Sequence, residues 1–391
     1  MFTKNNYKQN IKLSYLQEDC DEPALIDKII LYNFRIDDID DLWRLQDADV
    51  LNNRVPETCL SITKSGEFFG NICIPQEKGV FDHFEYRLCP SGHIYCRLEL
   101  SVCCGDASKD NLKCMTIKEV WQKIYAAKDL LLTKYGIHIN AYSMKIWSIE
   151  INKTIKLENP YREYKHVINA ISMLLPKRLR LNKYSEDGST CSEKYDLEKN
   201  TESIRRYSSK KPDGQGFRIK MYDKSKQLKE KKDRDVNTNF FRFEIELCPS
   251  DKVAKSLGTG LVFRLSDETI NAYYSEFIVN NVVRPKETYE EKQHKKIAAF
   301  LKKHYPKLKP KQLVDRLYDD LLATASDSGI SVLFNFDVES LIKCMPKSFY
   351  KAKKQKRYYM KKVIEEKGIE NLDYPEKYSI YLYDEIINKL K

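Results

Sequence analysis

The chain has 391 residues, with 68 Lys and Arg against 57 Asp and Glu, a formal charge of +11, and a length that allows two or three domains with real cores. Its eleven cysteines are odd in number and include no C-x-x-C pair, which points to reduced thiols in a cytosol rather than a disulfide framework or a zinc site. No stretch approaches the ~20 uninterrupted apolar residues of a membrane span, and the basic balance agrees with a protein that handles nucleic acid.

The first residues, MFTKNNYKQNIKLS, are polar and lack an apolar core segment, so no signal peptide is expected. Residues 1–90, including YNFRIDDIDDLWRL (32–45) and SITKSGEFFGNICI (61–74), read as strands and turns leading into a sheet, with no chemistry expected among them. HIYCRLELS (93–101) then alternates apolar with polar residues, as a half-buried strand does. VWQKIYAAKDLLL (120–132) has charges at helical spacing and predicts an amphipathic helix; SMKIWSIEIN (143–152) is a second alternating strand. KHVINAISMLLPKRLRL (165–181) predicts another helix on the same sheet. The polar stretch 184–216 reads as a loop or ragged hairpin, and GFRIKMYDKSKQL (216–228) as a strand. KEKKDRDVNTN (229–239) is a charged connector to the last alternating strand, FFRFEIELC (240–248).

From about residue 286 the pattern becomes helical, with expected helices over 286–306, 310–325, 338–345 and 348–368. Residues 286–391 hold 23 basic and 16 acidic residues, so +7 of the chain's +11 lies in its last quarter. Within it, 343–362 has nine Lys or Arg and no acid, interleaved with Phe349, Tyr350, Tyr358 and Tyr359. Lysines neutralise phosphates and aromatics stack on bases, which makes Lys353, Lys354, Lys356 and Arg357 candidate DNA contacts; a solvated helix with its aromatics turned inward accounts for the same pattern.

The four alternating strands carry the chemistry. In the last, Arg242, Glu244 and Glu246 share one face, opposite Phe241, Phe243, Ile245 and Leu247. In the third, Tyr222 shares its face with Arg218 and Lys220. Carboxylates that hold a hard divalent cation beside a phenol suit metal-assisted transesterification of a phosphodiester, with tyrosine attacking phosphorus. Any one glutamate on a wet strand face is ordinarily just solvated, and a lone tyrosine at a sheet rim is ordinarily amphipathic packing.

In order and spacing, RLELS (97–101), IWSIEIN (146–152), IKMYDKSKQL (219–228) and FRFEIEL (241–247), followed by SDKVAKSLGTG (250–260) and the basic KSFYKAKKQKRYY (347–359), resemble the replication initiators of filamentous phages and related rolling-circle plasmid initiators. The chain departs from the many initiators that hold metal with a His-hydrophobe-His pair: Ile94 and Tyr95 follow His93, and Ile139 and Asn140 follow His138. The resemblance implies an α+β fold, with an antiparallel-sheet nicking domain of degenerate HUH/Rep-like type over residues 1–285 and a basic helical DNA-binding domain over 286–391. Helices would cover one sheet face and leave the other open to substrate. It implies a Mg²⁺ or Mn²⁺ on Glu99, Glu150 and Glu244, with Glu246, Asp223 or His93 behind them. Tyr222 would be the nucleophile, Lys224 would position phosphate or lower the phenol's pKa, and Arg218, Lys220 and Arg242 would hold the DNA backbone.

The activity so implied is a site-specific single-strand nick at an origin, rejoined later, through a tyrosine 5′-phosphate. Its partners would be single- and double-stranded origin DNA with a host helicase and polymerase, in the cytoplasm of a bacterial host and without a membrane. The alternatives are a non-catalytic origin-binding protein or repressor, and a metal-dependent nuclease that uses water.

Overall fold

The computed structural model describes residues 23–36, 59–62, 68–89, 93–106, 112–184, 190–191, 203–208, 216–232, 237–304, 330–333 and 375–391, with scattered single positions elsewhere. In chain order the strands are β1 (Leu25–Tyr32), β2 (Cys59–Ile62), β3 (Phe68–Ile74), β4 (His83–Leu88), β5 (Ile94–Ser101), β6 (Lys145–Lys156), β7 (Arg180–Tyr184), β8 (Thr190–Cys191), β9 (Ser203–Tyr207), β10 (Arg218–Asp223) and β11 (Phe240–Leu247). The helices are α1 (Ile117–Tyr135), α2 (Tyr161–Leu174), α3 (Lys224–Lys232), α4 (Ser250–Leu257), α5 (Asp267–Ile278), α6 (Arg284–His304) and α7 (Pro375–Leu390). The chain divides into two compact units, Met1–Thr154 with Tyr207–Tyr274, and Ile155–Arg206 with Ser275–Lys391. Among the described residues no helix is long and apolar enough to cross a membrane.

The first unit is built on a sheet whose strands lie in the order β2-β3-β4-β5-β1-β6-β11-β10. The pairs β2–β3, β3–β4, β4–β5, β5–β1, β1–β6 and β10–β11 are antiparallel. Chain order and spatial order part at β1, which inserts between β5 and β6 and brings its residues to the middle of the sheet. One face is apolar. Ile219 and Met221 of β10 and Phe241, Phe243 and Ile245 of β11 are buried there, with Tyr274 edge-to-face on Phe243 at 6.1 Å and its hydroxyl on the Phe243 carbonyl at 3.2 Å.

Helix α1 shows how local chemistry fixes an element. Thr116 accepts from the Glu119 backbone N–H, and the Glu119 carboxylate returns to the Thr116 N–H at 2.7 Å, which satisfies two N–H groups that the first turn leaves unpaired. Val120, Ile124, Ala127, Leu131 and Tyr135 recur at three- and four-residue spacing and are buried. Gly136 ends the helix at φ 72°, where a side chain would be strained, and its N–H reaches the Leu131 and Leu132 carbonyls.

In the second unit, α2 and α7 are joined by buried polar contacts. The Tyr164 hydroxyl donates to Glu385, which also accepts the Glu158 N–H at 3.0 Å, and His166 Nε2 meets Ser379 Oγ at 2.8 Å. Arg206, buried, donates to the carbonyls of Ser172 at 2.7 Å and Leu179 at 3.0 Å.

Three expectations are corrected. The units do not divide at 285/286: residues 155–206 pack with the C-terminal quarter, because Tyr164 and His166 find their partners on α7. The polar face under β11 is not open to solvent: Arg242 is 0% and Glu244 3% exposed, and the segment 112–115 lies against this region, with Leu112 bonded to Arg242 and Met115 bridged to Ile26. The strand expected over 216–228 also ends early. It stops at Asp223, whose carboxylate accepts the Lys226 N–H at 3.0 Å and starts α3. The helix expected over 286–306 is α6; the basic segment 343–362 lies almost wholly outside the described residues, Lys353, Lys354, Lys356 and Arg357 included.

Candidate active site

Five adjacent strands, β5, β1, β6, β11 and β10, each place polar residues on one sheet face. On β11 the alternation that buries Phe241, Phe243 and Ile245 on one side turns Arg242, Glu244 and Glu246 to the other. Register sets Lys220 opposite Glu244 and Tyr222 opposite Arg242. On β6, Glu150 lies two residues from Asn152 and four from Thr154, and the Thr154 hydroxyl accepts from Arg242 Nε at 2.7 Å, so these three share that face.

The third carboxylate comes from a strand for which no chemistry was expected. Ile26 pairs with Ile151 and Lys28 with Glu150, so Asp27 is an extra residue in β1, a bulge that re-aims its side chain. Asp27, Glu150 and Glu244 can each offer a carboxylate oxygen such that all lie within 4.8 Å of one another. The signal was present in the sequence: a single acid, beside Lys28, between the apolar runs Ala24-Leu25-Ile26 and Ile29-Ile30-Leu31.

Two cations hold this acidic group together. Lys220 Nζ pairs with Glu150 and lies 3.1 Å from Glu244. Arg242 Nη1 lies 3.7 Å from Asp27 and 3.8 Å from Glu244. Removing one member of such a buried set strands its partner's charge and costs about 3–5 kcal/mol.

The shared proton is assigned by the surroundings. Burial, then the Glu244 charge, pushes the Glu150 carboxyl well above the usual carboxylate range. Glu244 is buried as deeply, but Lys220, a hydrogen bond from Glu150, Arg242 and Tyr222 more than offset this and hold it well below that range. The pair thus behaves as one protonated and one ionised carboxyl. Burial also raises Asp27, against Arg242. For Lys220, burial works to lower the pKa, and Glu244 and Glu150 outweigh it and raise it.

The Tyr222 hydroxyl donates to Glu244 Oε1 at 2.5 Å. Burial and the Glu244 charge push the phenol well above the ordinary tyrosine range, with Arg242 the leading opposing charge. Lys224 does not bring it down. Its ammonium nitrogen lies 5.9 Å from the Tyr222 ring centroid and donates to Gln227 Oε1 at 2.6 Å. Lys224 is completely buried, and burial together with Arg242 lowers its pKa to about 7. Nearby, the Cys114 Sγ donates to Asn152 Oδ1 at 2.8 Å, and burial raises that thiol to about 12. Asn152 Nδ2, buried, has no hydrogen-bond partner among the described residues.

Of the expected metal ligands, Glu150 and Glu244 come together and Glu99 does not. Glu99 sits on β5 with β1 between it and Glu150, and it is paired with Lys28 at 2.6 Å and with Arg97. Of the secondary candidates, Glu246 is paired with Arg218 and Asp223 caps α3. His93 lies about 20 Å of extended chain from Glu99, beyond reach of the cluster. Of the expected DNA contacts, Arg218 and Lys220 are engaged by carboxylates, and Arg242 is wholly buried under the face, where it braces Asp27, Glu244 and Thr154 instead of facing a ligand.

Fold and site together define an α+β protein with a buried carboxylate–tyrosine–lysine cluster across the centre of an antiparallel sheet. The chain matches no protein-family model and no curated protein. Among solved structures it is similar to the one described as the di-domain ARO/CYC BexL from the BE-7585A biosynthetic pathway, at 11% identity over 65% of this chain and 93% of that one, with a TM-score of 0.17, a likeness too slight to bear on fold or function.

Proposed function

We propose that the first unit is a tyrosine transesterase that nicks and rejoins one strand of DNA, as an initiator of rolling-circle replication, in a degenerate HUH/Rep-like nicking domain. One observation carries the reading: the Tyr222 hydroxyl is bonded to Glu244, itself one of three converging carboxylates. A phenol, a proton acceptor and a set of hard oxygen donors are the parts that phosphoryl transfer to tyrosine requires.

The donor set fits Mg²⁺ or Mn²⁺. Asp27, Glu150 and Glu244 offer oxygen, the ligand such ions prefer, and Glu150 would give up its proton on binding. When bound, the ion would polarise the scissile phosphate and stabilise charge on the leaving oxygen. The residues do the rest. Glu244 takes the phenol proton, the Tyr222 oxygen bonds to phosphorus, and the bond from phosphorus to the 3′ oxygen breaks. The leaving oxygen takes up a proton from solvent. A 5′-phosphotyrosine and a free 3′-OH result, and the reverse sequence rejoins the strand.

The test is to incubate the protein with end-labelled single-stranded DNA and Mg²⁺ or Mn²⁺ and to look for an adduct that survives SDS. The expected outcome is an adduct with the parent protein and none with Tyr222→Phe, whose DNA affinity stays close to the parent's. Equal adduct from both would remove Tyr222 as the nucleophile. DNA cut without any adduct would favour water as the nucleophile, and binding without cutting would favour a repressor.

A further inference from the structure

On the same sheet face, toward the opposite end of β1, a cavity of about 730 Å³ opens beside Tyr32, Arg35, His93, Tyr95, Arg97 and Trp147. Tyr32 lies five residues beyond Asp27 on the bulged strand, on the order of 13–16 Å along it. On β5, Tyr95 and Arg97 alternate onto the face that carries Glu99. Trp147 occupies a second bulge, since Ile30 pairs with Ser148 and Leu31 with Ile146. Both bulges in the β1–β6 pair therefore serve this face, one turning in an acid and the other an indole.

The lining has the composition of a base-stacking site. Tyr32 and Trp147 meet edge-to-face at 5.7 Å, and Tyr95 is 47% exposed with the Arg87 guanidinium 5.9 Å from its ring centroid. Among the described residues two arginines and a histidine line the space and no carboxylate does, although Glu99 engages Arg97 from just outside it. Aromatic planes stack on bases of any sequence, and guanidinium groups pair with phosphate and stack on rings. A concave site of this size takes an unstacked base, which a duplex does not offer.

We propose that this cavity holds a nucleobase of single-stranded DNA next to the scissile phosphate, with the base against Tyr95 and Trp147 and the backbone along Arg35 and Arg97. The placement next to a scissile phosphate rests on the nicking reading; the base-binding cavity does not.

Binding is measured in EDTA, so that no cleavage is needed, by the tryptophan emission of the protein titrated with a short oligothymidylate and with its abasic counterpart. The base-bearing strand is expected to quench the emission and the abasic one to do so far less. Trp147→Phe should lose most of the quench. Tyr95→Ala should weaken binding about tenfold, within the range for one stacked base, while Tyr95→Phe, which keeps the ring, should bind as the parent does. Equal affinity for the base-bearing and abasic strands, or a Tyr95→Ala protein with a parent-like melting curve and unchanged affinity, overturns the proposal. Tighter binding of oligouridylate would give the cavity to RNA and overturn it as well. Base-dependent quenching without any SDS-resistant adduct would leave the cavity standing and the nicking reading fallen; the reverse pattern would sink the cavity alone.

Discussion

At Lys224 the amine and the ammonium differ little in energy near neutral pH. Its pKa falls from the lysine value of 10.5 to about 7, so between those values the unfolded chain binds a proton that the folded chain lacks. Stability rises with pH wherever the unfolded state holds more protons, here by at most about 1.4 kcal/mol per pH unit. The burden of this lysine is thus fully present at and below pH 7 and is relieved as pH rises toward 10.5. Lys224→Met removes it: the variant should be the more stable protein at pH 7, with an advantage that shrinks steadily as pH rises. Urea titrations of both proteins between pH 7 and pH 9 measure that gap, and a constant gap would mean that the lysine is not held deprotonated.

At the scale of the strand, the bulge in β1 decides which carboxylates meet. Asp27→Asn and Glu150→Gln change little in shape, and each should weaken Mn²⁺ binding about tenfold or more, because a neutral amide is a poorer ligand for a hard cation. Glu99→Gln should leave the affinity within a factor of about two or three, since its carboxylate belongs to Lys28 and Arg97. Calorimetric titration with Mn²⁺ separates the cases, and a Glu99 variant as impaired as the Asp27 one would return Glu99 to the ligand set. The contrast shows what could be read in advance. Period-two alternation reported which face Glu244, Glu150, Lys220 and Tyr222 occupy, because it needs only neighbours in sequence. It could not report that β1 lies between β5 and β6, since strand order is a matter of long-range pairing, and so Glu99 looked equivalent to Glu150. Asp27 escaped for a related reason: a strand at the sheet centre is apolar on nearly every residue, so its one acid interrupts a run instead of completing an alternation. The capping pair Thr116 and Glu119 is purely local, yet the helix expected over 120–132 passed over it.

Over the whole molecule, charge is unevenly spread, with +7 of the net +11 in residues 286–391. If the segment 343–362 binds phosphates, changing Lys353, Lys354, Lys356 and Arg357 to Gln should weaken duplex binding and flatten its dependence on salt by roughly one slope unit per lost contact. Adduct formation on a short single strand should survive, since the proposed chemistry lies in the first unit. Filter binding across a salt series reads the slope, and an unchanged slope would return the segment to a solvated surface. Affinity and transition-state stabilisation would then be separable properties carried by different parts of one chain.

Lys220 bears on how such a protein lives without its ion. Where a metal is the sole counter-charge among clustered acids, stripping it lets the fold fly apart. Here an ammonium already sits between Glu150 and Glu244. If the proposed ion binds, it displaces a cation already resident there, and ripening of the fold and arming of the chemistry would be separate events. On the proposed reading, a cell short of divalent ions would still accumulate intact protein, dormant and ready to be loaded.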